Sequence, residues 1–218
     1  LDRELSVVGE IQRSLLPARL PEIPGTQWAV HYQTSQRAGG DYYDFFPLAD
    51  QRLGIFLADV SGHGTPAAVL MAVTHSIAHS FQQPTRPPDE MLRFVNRRLC
   101  EAYTTTGATF VTAFYAIYDP ATRELTYSSA GHNPPRLRRG GHPTFEPLDD
   151  AQGLPLGVTD HDDEGYVSAT RTLRPDDTLV LYTDGITEAR NATDEELGVP
   201  RLDAAVASAP TSDPDMRL

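Results

Sequence analysis

The chain has no lysine. All 18 of its basic residues are arginines, and 30 acids outnumber them to give a formal net charge of −12. A nucleic-acid surface needs a basic stripe, so this balance argues against nucleic acid as a partner. The acidity is compatible with cation binding, although a solvated acidic face is the plainer reading. Cysteine is nearly absent as well. A lone Cys100 excludes an internal disulfide, and its place in an apolar helical pattern fits a buried thiol in the reducing cytoplasm. Long apolar runs are missing: the longest, Ala67 to Val73, is far too short to span a membrane. Leu1 to Leu16 carries charges throughout, unlike a signal peptide. No low-complexity linker or internal repeat divides the 218 residues, so one large domain is expected. The chain opens mid-pattern without an initiator Met, and it reads as a piece of something longer.

Residues 1–16 read as a linker helix, with Leu1, Leu5, Val8, Gln12 and Leu15 at the alternating steps of a coiled-coil seam. Packing of that helix on its own domain is the competing reading. "PARLPEIP" then ends the helix as a stiff connector. Strands are expected over Trp28–Thr34, Asp41–Leu48 and Leu53–Asp59. Thr65-Pro66 supplies a cap and a first-turn proline for a helix to about Phe81, with Val69, Val73 and Ile77 on one face. A second helix runs from about Asp89 to Tyr103 and carries Leu92, Val95 and Leu99 inward. Further strands are expected over Thr109–Tyr118, Glu124–Ser129, Arg136–Arg139, Tyr166–Thr172 and Thr178–Asp184. Two helices together between groups of strands point to an α+β fold with largely antiparallel sheets.

"GGDYYDFFPLADQRLGIFLAD" looks like a hairpin turning at Ala49-Asp50-Gln51. A turn centred on Asp50 sets Asp41 opposite Asp59. Facing carboxylates repel unless something positive lies between them. Hard divalent cations such as Mg²⁺ or Mn²⁺ take such oxygen ligands. The reading depends on register, since a one-residue slip moves Asp59 to the other face; the alternative is that Asp59 only caps a turn. "TLVLYTDG" repeats the design, an apolar run ending on Asp184. Asp41, Asp59 and Asp184 together make a three-carboxylate site plausible.

Other constellations compete. Ser61 and His63 invite a serine-hydrolase reading, but the nucleophile elbow wants Gly where Asp59 stands. "SGHG" is better read as shaping the loop, with backbone N–H groups turned toward an anion. His75 and His79 have the spacing of zinc ligands on a helix, yet Ser76 stands where the metalloprotease motif needs Glu. They read as polar or interface histidines. "DHDDEG", from Asp160, mimics a calcium loop, but Arg171 occupies its twelfth position. His132 in "SAGHNPP" could line a site or serve a turn.

The segments "EIQRSLLPARLP", "AGGDYYD", "ADVSGHG", "SAGHNPP", "GLPLGV" and "LVLYTDGITEA" occur in that order from about Glu10 to Gly198. Together they resemble the bacterial SpoIIE/RsbU-type branch of the metal-dependent protein phosphatases, the PPM or protein phosphatase 2C-like family. The resemblance implies a four-layer α-β-β-α sandwich over residues 17–218, with two divalent cations, Mn²⁺ or Mg²⁺, in a cleft at its edge. It implies that Asp41, Asp59, Asp184 and the carbonyl of Val60 hold the cations. Asp44, Gly62 and His63 would support them from behind, and Arg37 would grip phosphate. It also implies serine/threonine phosphatase activity, with a metal-activated water attacking phosphorus and no protein nucleophile. The implied substrate is a phosphorylated STAS-domain anti-sigma-factor antagonist. The first helix resembles a junction to an upstream sensory or receiver domain and suggests a homodimer. The helices from Pro66 to Tyr103 resemble the branch's switch element.

One departure stands out. The family closes on an Asp-Asp/Asn-x-Thr motif, and here "DPDMRL" only echoes it, with Pro214 where an Asp would fall. Asp213 and Asp215 are the remaining ligand candidates, and the domain reads as incomplete at its C-terminal end. That leaves two rivals to the phosphatase: a catalytically impaired module that binds a STAS-type partner, and a metal phosphoesterase for small molecules.

Overall fold

A hairpin organises the molecule. The computed structural model describes residues 2–34, 38–81, 86–103, 109–160 and 165–209. Within them β1 (Tyr42–Pro47) and β2 (Leu53–Val60) pair antiparallel across a short turn at Ala49–Gln51. Asp50 and Gln51 take positive φ of 58° and 60° there, a region that a short polar side chain such as aspartate tolerates.

β2 reads as an unbroken apolar run because both of its faces are covered. Leu53 and Ile55 enter one core; Phe56, Ala58 and Val60 enter another. β3 (Val111–Asp119) repeats the division, and β4 (Glu124–Ala130) continues the antiparallel ladder. β5 (Arg136–Arg138), β6 (Phe145–Pro147) and β9 (Thr178–Val180) form a second sheet in the order β6-β5-β9. β7 (Gln152–Gly153) and β8 (Ala169–Thr172) both join β4, so the main sheet runs β1-β2-β3-β4-β7 with β8 also on β4.

Helices close both outer faces. α1 (Asp2–Leu15), α2 (Thr65–His79) and α3 (Pro88–Ala102) lie on the main sheet's side. Met71, Leu92, Val95 and Leu99 pack there with Phe56 and Tyr115. Between the sheets Ile55, Phe114, Tyr127 and Leu137 make the middle core. Beyond the second sheet, α4 (Asp184–Thr187) and α5 (Gly198–Ser208) follow, with Leu202 and Val206 packed near Val180 and Tyr182. Three cores separate four layers, the α-β-β-α order expected from the sequence. Among the described residues no helix is long and apolar enough to cross a membrane.

Several local expectations shift. Trp28–Thr34 forms no strand. Its aromatic pattern comes from contacts across β1, with Trp28 against Phe45 and Tyr32 against Tyr43, rather than from a ladder. Val69 is 56% exposed, because α2 buries Ala68, Leu70 and Met71 instead. β9 stops at Val180, and Asp184 opens α4 instead of ending a strand. Two members of the seam on α1 are engaged by the chain itself. Gln12 donates to the Gly39 carbonyl at 2.5 Å and accepts from the Gly39 N–H at 3.0 Å, while Leu15 packs against the helical core. Val7 and Ile11 stay exposed.

Candidate metal centre

The hairpin register sets the centre. Tyr42 pairs with Ala58, so one step further Asp41 faces Asp59 at the open end of the strands. Both lie on the side away from Tyr42, Phe56 and Ala58, which face the helices. Gly40 brings the chain close: its carbonyl accepts from the Val60 N–H at 3.3 Å. A Cβ on Gly40 would lie 2.6 Å from the Val60 carbonyl oxygen, so only glycine fits there.

The second sheet supplies the third carboxylate. After β9 the chain turns through Thr183, and Asp184 begins the single-turn helix α4, closed by the Glu188 N–H donating to the Asp184 carbonyl at 2.7 Å. Asp184 shares a hydrogen bond with Asp59, and Thr183 hydrogen-bonds the Asp41 carboxylate. Thus three acids from three segments come within electrostatic reach of one another where the two sheets end.

Their electrostatics are unbalanced. Burial, then the charges of Asp41 and Asp184, the bond to Asp184 and the charge of Glu188 push Asp59 up to about 7. Asp41 is also raised, by burial first and by Asp184, with the Thr183 bond working against them. No basic group counters either shift among the described residues. Such a cluster is destabilising by itself and is relieved by a cation. Carboxylate and carbonyl oxygens suit a hard divalent ion such as Mg²⁺ or Mn²⁺, so the donor set fits the cations that the family resemblance implies.

The loop after Asp59 is built around backbone. The Ser61 N–H donates to the Phe110 carbonyl at 2.9 Å, and its hydroxyl accepts from the Phe110 N–H at 2.9 Å. Ser61 thus fastens the loop to the start of β3. Gly62 and Gly64 take φ of 95° and 75°, and His63 is exposed between them. His132 is buried, with Nδ1 2.9 Å from Thr112 Oγ1, and burial drives it down to about 4. It is a neutral part of the frame next to the Asp59–Thr112 pair.

Asp44 does not join the three acids. It lies on the opposite face of the main sheet, bonded to His79 and Tyr42 under α2. The reason is parity: three residues along a strand reverse the side a residue faces. Arg37, Asp213 and Asp215 lie outside the described residues, as does most of "DHDDEG". Two residues went unnoticed in the sequence. Thr183 precedes the third aspartate directly, and Glu188 follows it by four, the spacing of neighbours on a helix.

Comparisons with known proteins agree with this architecture. The SiaA-PP2C domain of Pseudomonas aeruginosa superposes with a TM-score of 0.78 at 22% identity, covering 94% of this chain and 80% of that one. The structure of RsbX in complex with magnesium gives a TM-score of 0.53 at 18% identity, over 80% of this chain and 83% of that one. These likenesses define the fold as that of a PP2C-type domain. A family model for Stage II sporulation protein E (SpoIIE) matches residues 49–217, and the chain belongs to that family. Phosphoserine phosphatase RsbU of Bacillus subtilis (strain 168) is 30% identical over 187 residues, 86% of this chain. The chain spans about half of that relative's length, 54%.

Proposed function

We propose that the chain is a divalent-metal-dependent phosphoserine/phosphothreonine protein phosphatase. The observation that carries this reading is the approach of Asp41, Asp59 and Asp184 at one edge with no basic group, among the described residues, against Asp41 or Asp59. In this reading the three carboxylates and the Val60 carbonyl hold Mn²⁺ or Mg²⁺. Bound cations would activate a water and neutralise the phosphoryl oxygens. The chain's own work is to hold the oxygens rigidly. Gly40 lets β1 approach Val60, Thr183 orients Asp41, and Gly62 and His63 shape the loop behind the ligands. Arg37 is our candidate for gripping phosphate. Asp213 and Asp215 are our candidates for completing a second cation's shell.

The substrate we propose is a phosphorylated STAS-domain protein in the cytoplasm, delivered under control of an upstream sensory or receiver domain joined through α1. Homology to a phosphoserine phosphatase supports the reaction class. The exposed Val7 and Ile11 on α1 support a homodimer contact there. The test is Mn²⁺-dependent phosphate release from a phosphorylated STAS protein, with Asp59→Asn as control. Expected is turnover that Asp59→Asn abolishes. Absence of hydrolysis with the whole protein would favour a silent partner-binding module. Turnover of nucleotides alone would favour a small-molecule phosphoesterase.

A further inference from the structure

The far face of the main sheet holds a second cluster that the phosphatase reading leaves unused. His75 and His79 stand one turn apart on α2, with ring centroids 4.3 Å apart. Asp44 reaches up from β1 and is only 6% exposed. Its Oδ2 lies 2.7 Å from His79 Nε2 and 3.7 Å from His75 Nδ1. One ligand atom from each of the three residues lies within 4.8 Å of the others.

The surroundings already orient these atoms. The Tyr42 hydroxyl donates to Asp44 Oδ2 at 2.5 Å and lies 3.0 Å from His75 Nδ1. The Phe45 N–H donates to Asp44 Oδ1 at 2.7 Å. Phe46 packs on the His79 ring at 5.0 Å and the Tyr42 ring meets His75 edge-on at 5.4 Å. Hydrogen bonds to a ligating carboxylate and packing against ligating rings are what metal sites use to fix their donors. The His79 side chain is 47% exposed, which leaves a way in from solvent.

We propose that Asp44, His75 and His79 form a binding site for a borderline divalent transition ion, Zn²⁺ above all, separate from the carboxylate centre. Bond lengths near 2.0–2.2 Å in a tetrahedral shell put ligand atoms about 3.4 Å apart. The observed 2.7 and 3.7 Å bracket that spacing, so small side-chain movements suffice. Two imidazole nitrogens and one carboxylate oxygen select Zn²⁺, Co²⁺ or Ni²⁺ over Mg²⁺ or Ca²⁺. Three protein ligands leave a fourth position to water. Binding through His79 Nε2 would replace its hydrogen bond to Asp44 with two bonds to the ion and leave the ring's proton on Nδ1. The ion then ties α2 to β1, three residues beyond Asp41. This inference does not rest on the phosphatase reading, because it uses neither Asp41, Asp59 nor Asp184.

The test uses the full chain, stripped with chelator and kept in excess Mg²⁺. Co²⁺ is titrated against its visible absorption, and Zn²⁺ affinity is read by competition. Wild type, Asp59→Asn, His79→Gln and His75→Gln/His79→Gln are compared, with far-UV circular dichroism as the folding control. Expected is one equivalent bound by wild type and by Asp59→Asn alike, not displaced by Mg²⁺. His79→Gln should weaken it by about 100-fold or more, beyond the loss typical for a supporting residue. X-ray absorption of the Zn²⁺ wild type should show two imidazole ligands, and decides the matter if a histidine variant fails to fold. Unchanged affinity in the double variant, loss of the ion in Asp59→Asn, or a shell without two imidazoles would each overturn the proposal.

Discussion

Asp41 and Asp44 are three residues apart, and in a strand an odd separation puts two side chains on opposite faces. That parity was legible in "GGDYYD", yet the family motif invites the two acids into one site. The register of Asp41 against Asp59 was legible too, because a short turn at Asp50 leaves little freedom in pairing. The approach of Asp184 was not, since it depends on how the second sheet closes over the first. The three acids have a pH signature. An acid that holds its proton more tightly when folded makes the folded state bind more protons between its two pKa values. Stability then falls as pH rises through that window. For Asp59 the window runs from 3.8 to about 7. With chelator present, wild type should lose melting temperature relative to Asp59→Asn from pH 4 to pH 7. The gap should stay constant above that. Adding Mn²⁺ should stabilise wild type and leave Asp59→Asn nearly unmoved. A gap that ignores pH would refute the cause assigned to the shift.

Elements with one strong periodic signal were read well. α3 buries Leu92, Val95 and Leu99 as its spacing requires. α2 was harder, because it is apolar almost all round and no single stripe picks its buried face. Val69, chosen by spacing, is exposed, while the small residues Ala67, Ala68 and Ala78 go inward to let the helix lie close. Trp28–Thr34 misled for a related reason. Aromatic alternation also arises when an extended chain lies across a strand and covers its rings. The layering makes a prediction about α3. Leu92→Ala should cost about 2–5 kcal/mol in denaturant unfolding, because the site is fully buried and cannot collapse easily. Mn²⁺ affinity should stay within about twofold below the transition, since Leu92 packs on the helical side and the acids lie on the other. A parallel loss of both would mean that the layers are more tightly coupled than their separate cores indicate.

At the scale of the whole molecule the dominant quantity is the net charge of −12. Many arginines are already committed: Arg136 to Asp203, Arg139 to Asp177 and Glu146, Arg190 to Glu196. The remaining acid excess gives a long-range field that gathers cations and repels free polyanions. Its contribution can be separated from that of the cluster by distance. Glu124 sits at the opposite end of the main sheet from Asp59, since β3 pairs Asp59 with Thr112 and Asp119 with Glu124. At the rise of a strand that is roughly 20 Å. Screening acts over about 8 Å at physiological ionic strength and about 30 Å at 0.01 M. Glu124→Gln should therefore leave Mn²⁺ affinity unchanged in physiological salt and lower it measurably only in dilute buffer. Asp184→Asn should weaken binding strongly at both ionic strengths, because its charge acts at contact with Asp59. Calorimetric titration of the two variants at both salt levels checks this. Equal salt dependence in the two would show that cations answer to the overall charge and not to the cluster.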